Sequence, residues 1–163
     1  PKSTVVLVAD GGRSSVGAQA RQWSADGQRV VAIDPFYFGE SKIANQAWLF
    51  AILVAALGER PLGIEAGQVA ATARWLHSAR GLGPVTVVSV GPRSSLFSLV
   101  AAALEPRAIA GLEQQGAMSS LKEIITQDIT VDKRPEQFCF GLLAEFDIPQ
   151  MMALVHPRPV TNR

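Results

Sequence analysis

The segment from Gly91 to Ser95 contains residue types that could perform nucleophilic chemistry. It reads Gly-Pro-Arg-Ser-Ser, and it joins the apolar, β-branched run 85–90 to an apolar run with helical character at 95–104. A serine on a sharp turn between a strand and a helix can attack an ester carbonyl, because N–H groups at the helix N-terminus stabilise the oxyanion. The segment therefore makes its serines candidates for a nucleophile.

The sterics of such a turn favour Arg93 at its apex. The residues two before and two after the apex must be small, and Arg93 is flanked by Gly91 and Ser95. Ser94 would instead have a proline and a leucine as flanks. An arginine stays protonated and cannot attack a carbonyl. We therefore predict that Arg93 replaces the nucleophile, with Ser94 in a distorted turn as the alternative catalytic residue.

A second glycine-bearing loop follows the first apolar run of the chain. Gly11, Gly12 and Arg13 precede a predicted helix, whose free N–H groups could hold an anion together with those of Ser94. These four residues are the predicted oxyanion or anion-binding set. The glycine spacing over 12–17 is that of a phosphate loop, but Ala-Gln follows instead of Lys-Ser/Thr. The alternative is that both glycines only permit a tight turn.

Short β-branched runs alternate with longer helical stretches. Strands are predicted at 5–9, 29–34, 85–90, 108–112 and from 159, and helices at 15–26, 45–57, 65–80 and 95–104. The strand runs are continuously apolar, which is typical of parallel strands covered on both faces. Right-handed crossovers then predict an α/β fold, a three-layer α/β/α sandwich around a doubly wound sheet in the order 2-1-3-4-5. Ligands bind such sheets between the first and third strands, where both glycine-bearing loops lie.

A nucleophilic serine also requires a base, and the chain has two histidines. His77 lies near the end of the predicted helix 65–80, and His156 ends the last predicted helix. Helices in this architecture run back from the site, so we predict a surface position for His77 and a helix-capping role for His156. No Ser-His-acid set can be assembled. The single cysteine excludes a cysteine-based zinc site, and neither a metal nor a cofactor is predicted.

Other reactive or aromatic side chains are predicted to be structural. Asp34 and Glu40 could form a carboxylate pair, but an aspartate before proline is typical of a turn. Cys139 is predicted to be buried and inert. The apolar run 48–57 is too short to span a bilayer and is predicted to be a buried helix. The aromatic residues predicted to lie in the core are Trp48, Phe50, Trp75, Phe97 and Phe140.

Length and composition indicate one domain over residues 1–163. A hydrophobic content of 48% is enough for a sizeable core, and a net charge of +1 gives no reason to expect nucleic acid or an acidic surface as partner. The segment at about 116–155 departs from strand–helix alternation. A capping box at Ser120–Glu123, Pro135 in a first turn, and Asp147 as N-cap with Pro149 at the first position predict a helical insert there.

The order of these pieces resembles that of the α/β-hydrolase superfamily. VVLVADGG is similar to the strand and loop that supply part of the oxyanion hole, RVVAIDPFYFGES to the next strand and its loop, and VTVVSVGPRSS to the nucleophile strand and elbow. GERPLGIEAGQVAATARWL and FCFGLLAEFDIPQMMALVHPRPV extend the resemblance to the dienelactone-hydrolase and acetyl-xylan-esterase-like branch.

The resemblance implies hydrolysis of a carboxylic ester or an acetylated carbohydrate. It also implies an incomplete domain, because the family's catalytic acid and histidine follow strands at and beyond the end of this chain. We therefore predict an esterase-like domain that is not catalytically competent as this chain. The alternatives are a degenerate hydrolase domain that binds an anionic or carbohydrate ligand or acts as a scaffold, and a flavodoxin-like domain that binds phosphate or flavin.

The partners considered at this stage follow from the same reasoning. They are a small-molecule or carbohydrate ester ligand, a neighbouring hydrolase domain, and a second copy of the chain in a homo-oligomer. Neither nucleic acid nor a membrane is predicted as a partner. The sequence does not indicate a cellular compartment.

Overall fold

Five short strands form one parallel sheet in the computed structural model, which describes residues 3–43 and 45–163. The strands are β1 (Thr4–Ala9), β2 (Arg29–Ala32), β3 (Val85–Val90), β4 (Ile109–Gln115) and β5 (Val160–Asn162). Their order is β2-β1-β3-β4-β5, and every neighbouring pair is parallel. The predicted α/β fold and strand order are therefore confirmed.

Helices connect the strands and cover the sheet. They are α1 (Gly17–Ala25), α2 (Ala47–Ala56), α3 (Pro61–Arg74), α4 (Pro92–Leu104), α5 (Glu123–Thr126), α6 (Leu142–Glu145) and α7 (Ile148–Val155). Short 3₁₀ turns lie at Arg13–Val16, Gly39–Ser41 and Pro135–Gln137, and a π-helical turn, Trp75–Ala79, continues α3. Proline stands at the start of α3 and α4, where its missing N–H costs no hydrogen bond.

The continuous burial of β1 reflects coverage of both sheet faces. All six of its residues are buried, and the five apolar ones, residues 5–9, alternate between two apolar clusters. Val6 and Val8 pack on the face that α3 and α4 cover, whereas Val5 and Leu7 pack on the face that α1 covers. This two-sided burial explains why the strands read as unbroken apolar runs.

The segment between β4 and β5 is helical and is held by side-chain caps. Asp147 caps α7 through a capping box with Gln150, with Pro149 at the second helical position rather than the first. Asp147 also accepts hydrogen bonds from the Ser120 hydroxyl and the Leu121 N–H, both at 2.6 Å. α5 begins at Glu123, later than the sequence predicts, although the Glu123 carboxylate still accepts from the Ser120 N–H at 3.3 Å.

Two predictions about the apolar core are wrong. The run 48–57 is not a buried helix. Ala51 is the buried residue of α2, whereas the large apolar side chains of this run, such as Trp48 and Leu53, are exposed. Of the five aromatic residues predicted to lie in the core, Phe97 is fully buried. The other four, Trp48, Phe50, Trp75 and Phe140, are exposed. Apolar composition alone does not say which side of a helix faces the protein.

Within the described residues, no single helix has the length and apolarity needed to cross a membrane. By length and composition alone, α2 together with the helix over residues 61–79 passes the same test as a pair, with a 91° bend between them.

Replacing Asp147 with alanine tests how much the cap stabilises this segment. We expect Asp147→Ala to lower the free energy of unfolding by about 1–2 kcal/mol, because α7 loses its N-cap and Ser120 and Leu121 lose their acceptor. Urea unfolding followed by circular dichroism measures the change. Glu145→Ala, an exposed carboxylate in the same segment, is the matched control and should be neutral. Equal effects of both substitutions would contradict the capping role.

Candidate active site at the carboxyl edge of the sheet

The corner between β3 and α4 turns on Gly91. Gly91 follows the strand directly and has a φ of 109°, a conformation that side-chain-bearing residues rarely adopt. Pro92 begins α4, so Arg93 is already a helical residue. Elsewhere in the described ranges, the non-glycine residues with positive φ are Tyr37, Asn45 and Asp128. The left-handed backbone of this corner therefore falls on Gly91, two residues before the predicted apex.

The amides at the start of α4 bind a carboxylate of the chain itself. Asp10 lies at the end of β1, and its two oxygens accept hydrogen bonds from the N–H of Arg93 at 3.2 Å and of Ser94 at 2.7 Å. A carboxylate is stabilised at a helix N-terminus by these N–H groups and by the helix dipole. The position that could hold an oxyanion is thus filled by Asp10.

The Ser94 hydroxyl points into the protein rather than toward the crevice between the carboxyl ends of β1 and β3. It donates to the carbonyl of Val90 at 2.9 Å and also lies 3.3 Å from the carbonyl of Gly91, and the residue is fully buried. The Ser95 hydroxyl is also buried and lies 3.2 Å from that of Ser89. The gap beside these hydroxyls, lined by Pro92 and Gln114 among others, has no room for a water-sized molecule.

The N–H groups of Gly12 and Arg13 in the first glycine-bearing loop also have hydrogen-bond acceptors within the protein. The Gly12 N–H donates to the carbonyl of Ala9 at 2.9 Å, and the Arg13 N–H donates to Asp34 at 2.7 Å. The second oxygen of Asp34 accepts from the Glu40 N–H at 3.0 Å. Asp34 therefore organises two loops and does not form a carboxylate pair with Glu40.

The side chain of Arg13 lies between two carboxylates. Its guanidinium pairs with Glu40 and lies 3.6 Å from an oxygen of Asp34. Gly11 is exposed, and a Cβ there would lie 2.8 Å from the Ser15 side chain. Gly11, Gly12, Arg13 and Ser94 are thus at the carboxyl ends of two adjacent strands, as expected, while the amides of Arg13 and Ser94 already serve carboxylates of the chain.

Arg93 forms a two-pronged ion pair with Glu136. Its Nε and Nη2 donate to the two carboxylate oxygens at 2.6 and 2.9 Å, and its guanidinium lies 4.5 Å from the ring centroid of Phe38. The Glu136 side chain has no exposed surface. Burial alone would lower the pKa of Arg93, but the hydrogen bonds and charge of Glu136 outweigh it and raise the pKa.

Glu136 is the site residue that sequence reasoning missed. It lies 43 positions beyond Arg93, in the 3₁₀ turn that Pro135 begins. Pro135 indicates the turn, but no local pattern indicates which distant cation the turn faces. A buried carboxylate must be paired, so its presence could be inferred only once Arg93 was placed in the same crevice.

A further carboxyl group, that of Glu65 on α3, is buried in the same region. Burial raises the pKa of Glu65 to about 10, and the charges of Glu136 and Asp10 add to the effect while Arg93 opposes it. Glu65 is therefore protonated at neutral pH. Its carboxyl oxygens and the hydroxyl of Tyr37 have no hydrogen-bond partner among the described residues. Burial, followed by the Glu65 charge, raises the pKa of Tyr37 to about 12.

The two histidines follow helices that run away from this crevice. His77 lies in the π-helical turn that ends α3, and His156 directly follows α7. Each segment leads into the start of the next strand, at the opposite edge of the sheet. Across residues 3–43 and 45–163, no group of three or more His, Cys, Asp or Glu side chains is arranged to hold a metal ion.

Comparison with known proteins identifies the fold. No family model and no curated protein matches the chain. Among solved structures, the chain is similar to a Bacteroides fragilis protein assigned as an acetyl xylan esterase, with a TM-score of 0.75 and 16% sequence identity. The match covers 98% of this chain and 50% of that protein, so the chain spans about half its length. The chain therefore has an esterase-like α/β fold.

The buried ion pair can be tested by removing one partner and then both. We expect Arg93→Met to lower the free energy of unfolding by about 3–5 kcal/mol, because it leaves the buried Glu136 carboxylate unpaired. The double variant Arg93→Met/Glu136→Leu should recover most of this loss. Arg13→Met is the control, since its ion pair is exposed and screened by solvent, and its loss should be far smaller. Equal losses in the Arg93 and Arg13 variants would refute the assignment.

The pKa of Glu65 predicts how stability depends on pH. Because the folded-state pKa lies above the ordinary value of 4.5, the contribution of this group is complete below that value and is lost as the pH rises toward 10. Glu65→Gln does not titrate, so the stability of this variant relative to the native chain should rise by about 4 kcal/mol between pH 5 and pH 8. Thermal unfolding across this range measures it, with the exposed Glu145→Gln as control. A constant difference at all pH values would contradict the prediction.

Proposed function

We propose that this chain is a non-catalytic domain with an esterase-like fold, whose role is structural. The observation that supports this most directly is the carboxylate of Asp10 on the amides of Arg93 and Ser94. Ester hydrolysis needs free donors where negative charge develops in the transition state. Here the donors are used, and a fixed negative charge stands where an oxyanion would form.

The groups around the corner support the same conclusion. The Ser94 hydroxyl donates to the carbonyl of Val90, so it is not aimed at a substrate. Both histidines lead into the opposite edge of the sheet. A buried serine without a base remains a poor nucleophile at neutral pH.

An anion-binding role at this crevice is the weaker alternative. Arg93 is already neutralised by Glu136, and Arg13 contacts Glu40 and Asp34. An added anion would have to displace a carboxylate that is covalently part of the protein. We therefore favour the scaffold role over a site for a uronate or a phosphate.

Hydrolysis of a carboxylic ester is the second candidate function, and the fold likeness to an acetyl xylan esterase is the observation that favours it. It requires Asp10 to leave the α4 amides and the Ser94 hydroxyl to rotate outward. Turnover of an activated ester separates the two proposals.

We expect this chain to release p-nitrophenol from p-nitrophenyl acetate no faster than buffer containing an equal concentration of a non-enzymatic protein. Ser94→Ala should leave this rate unchanged, because the hydroxyl faces the backbone. Ser95→Ala is the matched control for a neighbouring buried hydroxyl. A loss of tenfold or more in Ser94→Ala alone would identify Ser94 as a nucleophile and overturn the proposal. Calorimetry with phosphate should give no binding heat, and saturable binding lost in Arg93→Met would favour the anion site.

A further inference from the structure

Helix α2 has its small residues facing the protein and its large apolar residues facing outward. Ala47, Ala51 and Ala55 recur every four residues and so lie along one stripe. Ala51 is buried, Ala47 packs against the main apolar cluster, and Ala55 lines a groove beside the helix. A helix on the surface of a monomer normally has the opposite arrangement, with large apolar residues inward.

The outward surface, here called the α2 face, consists of six large apolar side chains. They are Trp48, Leu49, Phe50, Ile52, Leu53 and Leu57. Their exposed fractions run from 37% to 84%. A contiguous exposed apolar surface of this kind is typical of a site that contacts another molecule.

The area of the α2 face is at the upper end of what a monomer exposes, and its surroundings enlarge it. Taking about 150–250 Å² for each large side chain, the exposed fractions leave roughly 600 Å² of apolar surface on α2. The largest apolar patch of a typical monomer is about 300–600 Å². Phe140, which is 81% exposed and lines the same groove as Ile52, extends the patch toward the about 800 Å² per partner of a standard interface.

The groove beside α2 can receive side chains from a partner. It has a volume of about 650 Å³ and lies between Ala51, Ile52 and Ala55 on one side and the segment 129–140 on the other. Apolar residues, among them Phe138 and Phe140, form most of its lining. Projecting side chains next to a recess of matching polarity allow one surface to bind a copy of itself.

The charges around α2 favour a second copy in a defined orientation. Residues 43–58 contain no charged residue, so two copies of the helix can meet without repulsion. Lys42 precedes this stretch, Glu59 and Arg60 follow it, and Arg60 and Asp132 lie in the groove lining. An antiparallel crossing brings opposite helix ends together and keeps the two Lys42 side chains apart, whereas a parallel crossing brings the two lysines together. The absence of a basic face distinguishes α2 from helices that lie on anionic membranes.

We propose that the α2 face and its groove form a two-fold symmetric, antiparallel interface with a second copy of this chain. A surface that contacts the same surface of its partner closes on itself and gives a dimer rather than a filament. The proposal does not depend on whether the crevice at Gly91 hydrolyses esters, because it rests on a different surface.

Sedimentation equilibrium from low micromolar to several hundred micromolar protein tests the proposal. We expect the unmodified chain to follow a monomer–dimer equilibrium. Leu53→Glu should raise its dissociation constant by at least about a hundredfold, because a carboxylate would be buried in the contact. Leu104→Glu is the matched control, since Leu104 is 73% exposed but lies at the end of α4, and it should not change the equilibrium. Circular dichroism verifies that both variants fold.

A cross-link tests the symmetry. In a Cys139→Ser background, Leu53→Cys should form a disulfide-linked dimer on mild oxidation, because α2 meets α2 across the axis. Leu104→Cys should remain monomeric under the same conditions. A monomer at every concentration overturns the proposal, and so does open-ended growth of the assembly. Flotation of a monomeric chain with phosphatidylcholine vesicles, lost in Leu53→Glu, would overturn it in favour of a lipid surface.

Discussion

The Asp10 carboxylate on the first amides of α4 is the contact on which the arrangement of this crevice depends. It joins the ends of two neighbouring strands, because Asp10 follows β1 and the corner at Gly91 follows β3. It also requires glycine at the corner, since a Cβ at position 91 would lie 2.3 Å from the Asp10 carboxylate carbon. With α4 held in this way, Arg93 points toward Glu136 and fixes the 3₁₀ turn that carries it.

A second aspartate at the end of the neighbouring strand also accepts hydrogen bonds from two backbone N–H groups. Asp34 follows β2 and accepts from the amides of Arg13 and Glu40, while Gly12 and Gly39 leave room for it. Doubly wound sheets bind their ligands at this edge, where loop amides are free. In this chain two aspartates take those amides as internal ligands. At this edge the amides therefore hold loops in place, while a large exposed apolar surface lies on α2.

The sheet could be predicted from the sequence because its determinants are local. Continuous apolar runs such as residues 5–9 mark two-sided burial, and the connections between the strands leave few alternatives for strand order. The sequence predicted where the crevice lies but not which side chains pair within it. Glu65 and Glu136 lie far from Arg93 along the chain, and no periodicity links them. For α2, composition predicted burial, but the alanine stripe could be assigned to the inner side only from the structure.

The charges of the buried cluster make the side chain at position 93 depend on its neighbours. One guanidinium, that of Arg93, faces the carboxyl groups of Glu136, Asp10 and Glu65, and Glu65 is accommodated by remaining protonated. A serine at position 93 would remove the one positive charge and leave Glu136 buried without a partner. It would also place a nucleophile beside the Asp10 carboxylate, whose charge opposes an oxyanion. Arginine at this position is therefore coupled to Glu136 and Asp10, and a change at any one of the three positions leaves a charge of the others without its partner.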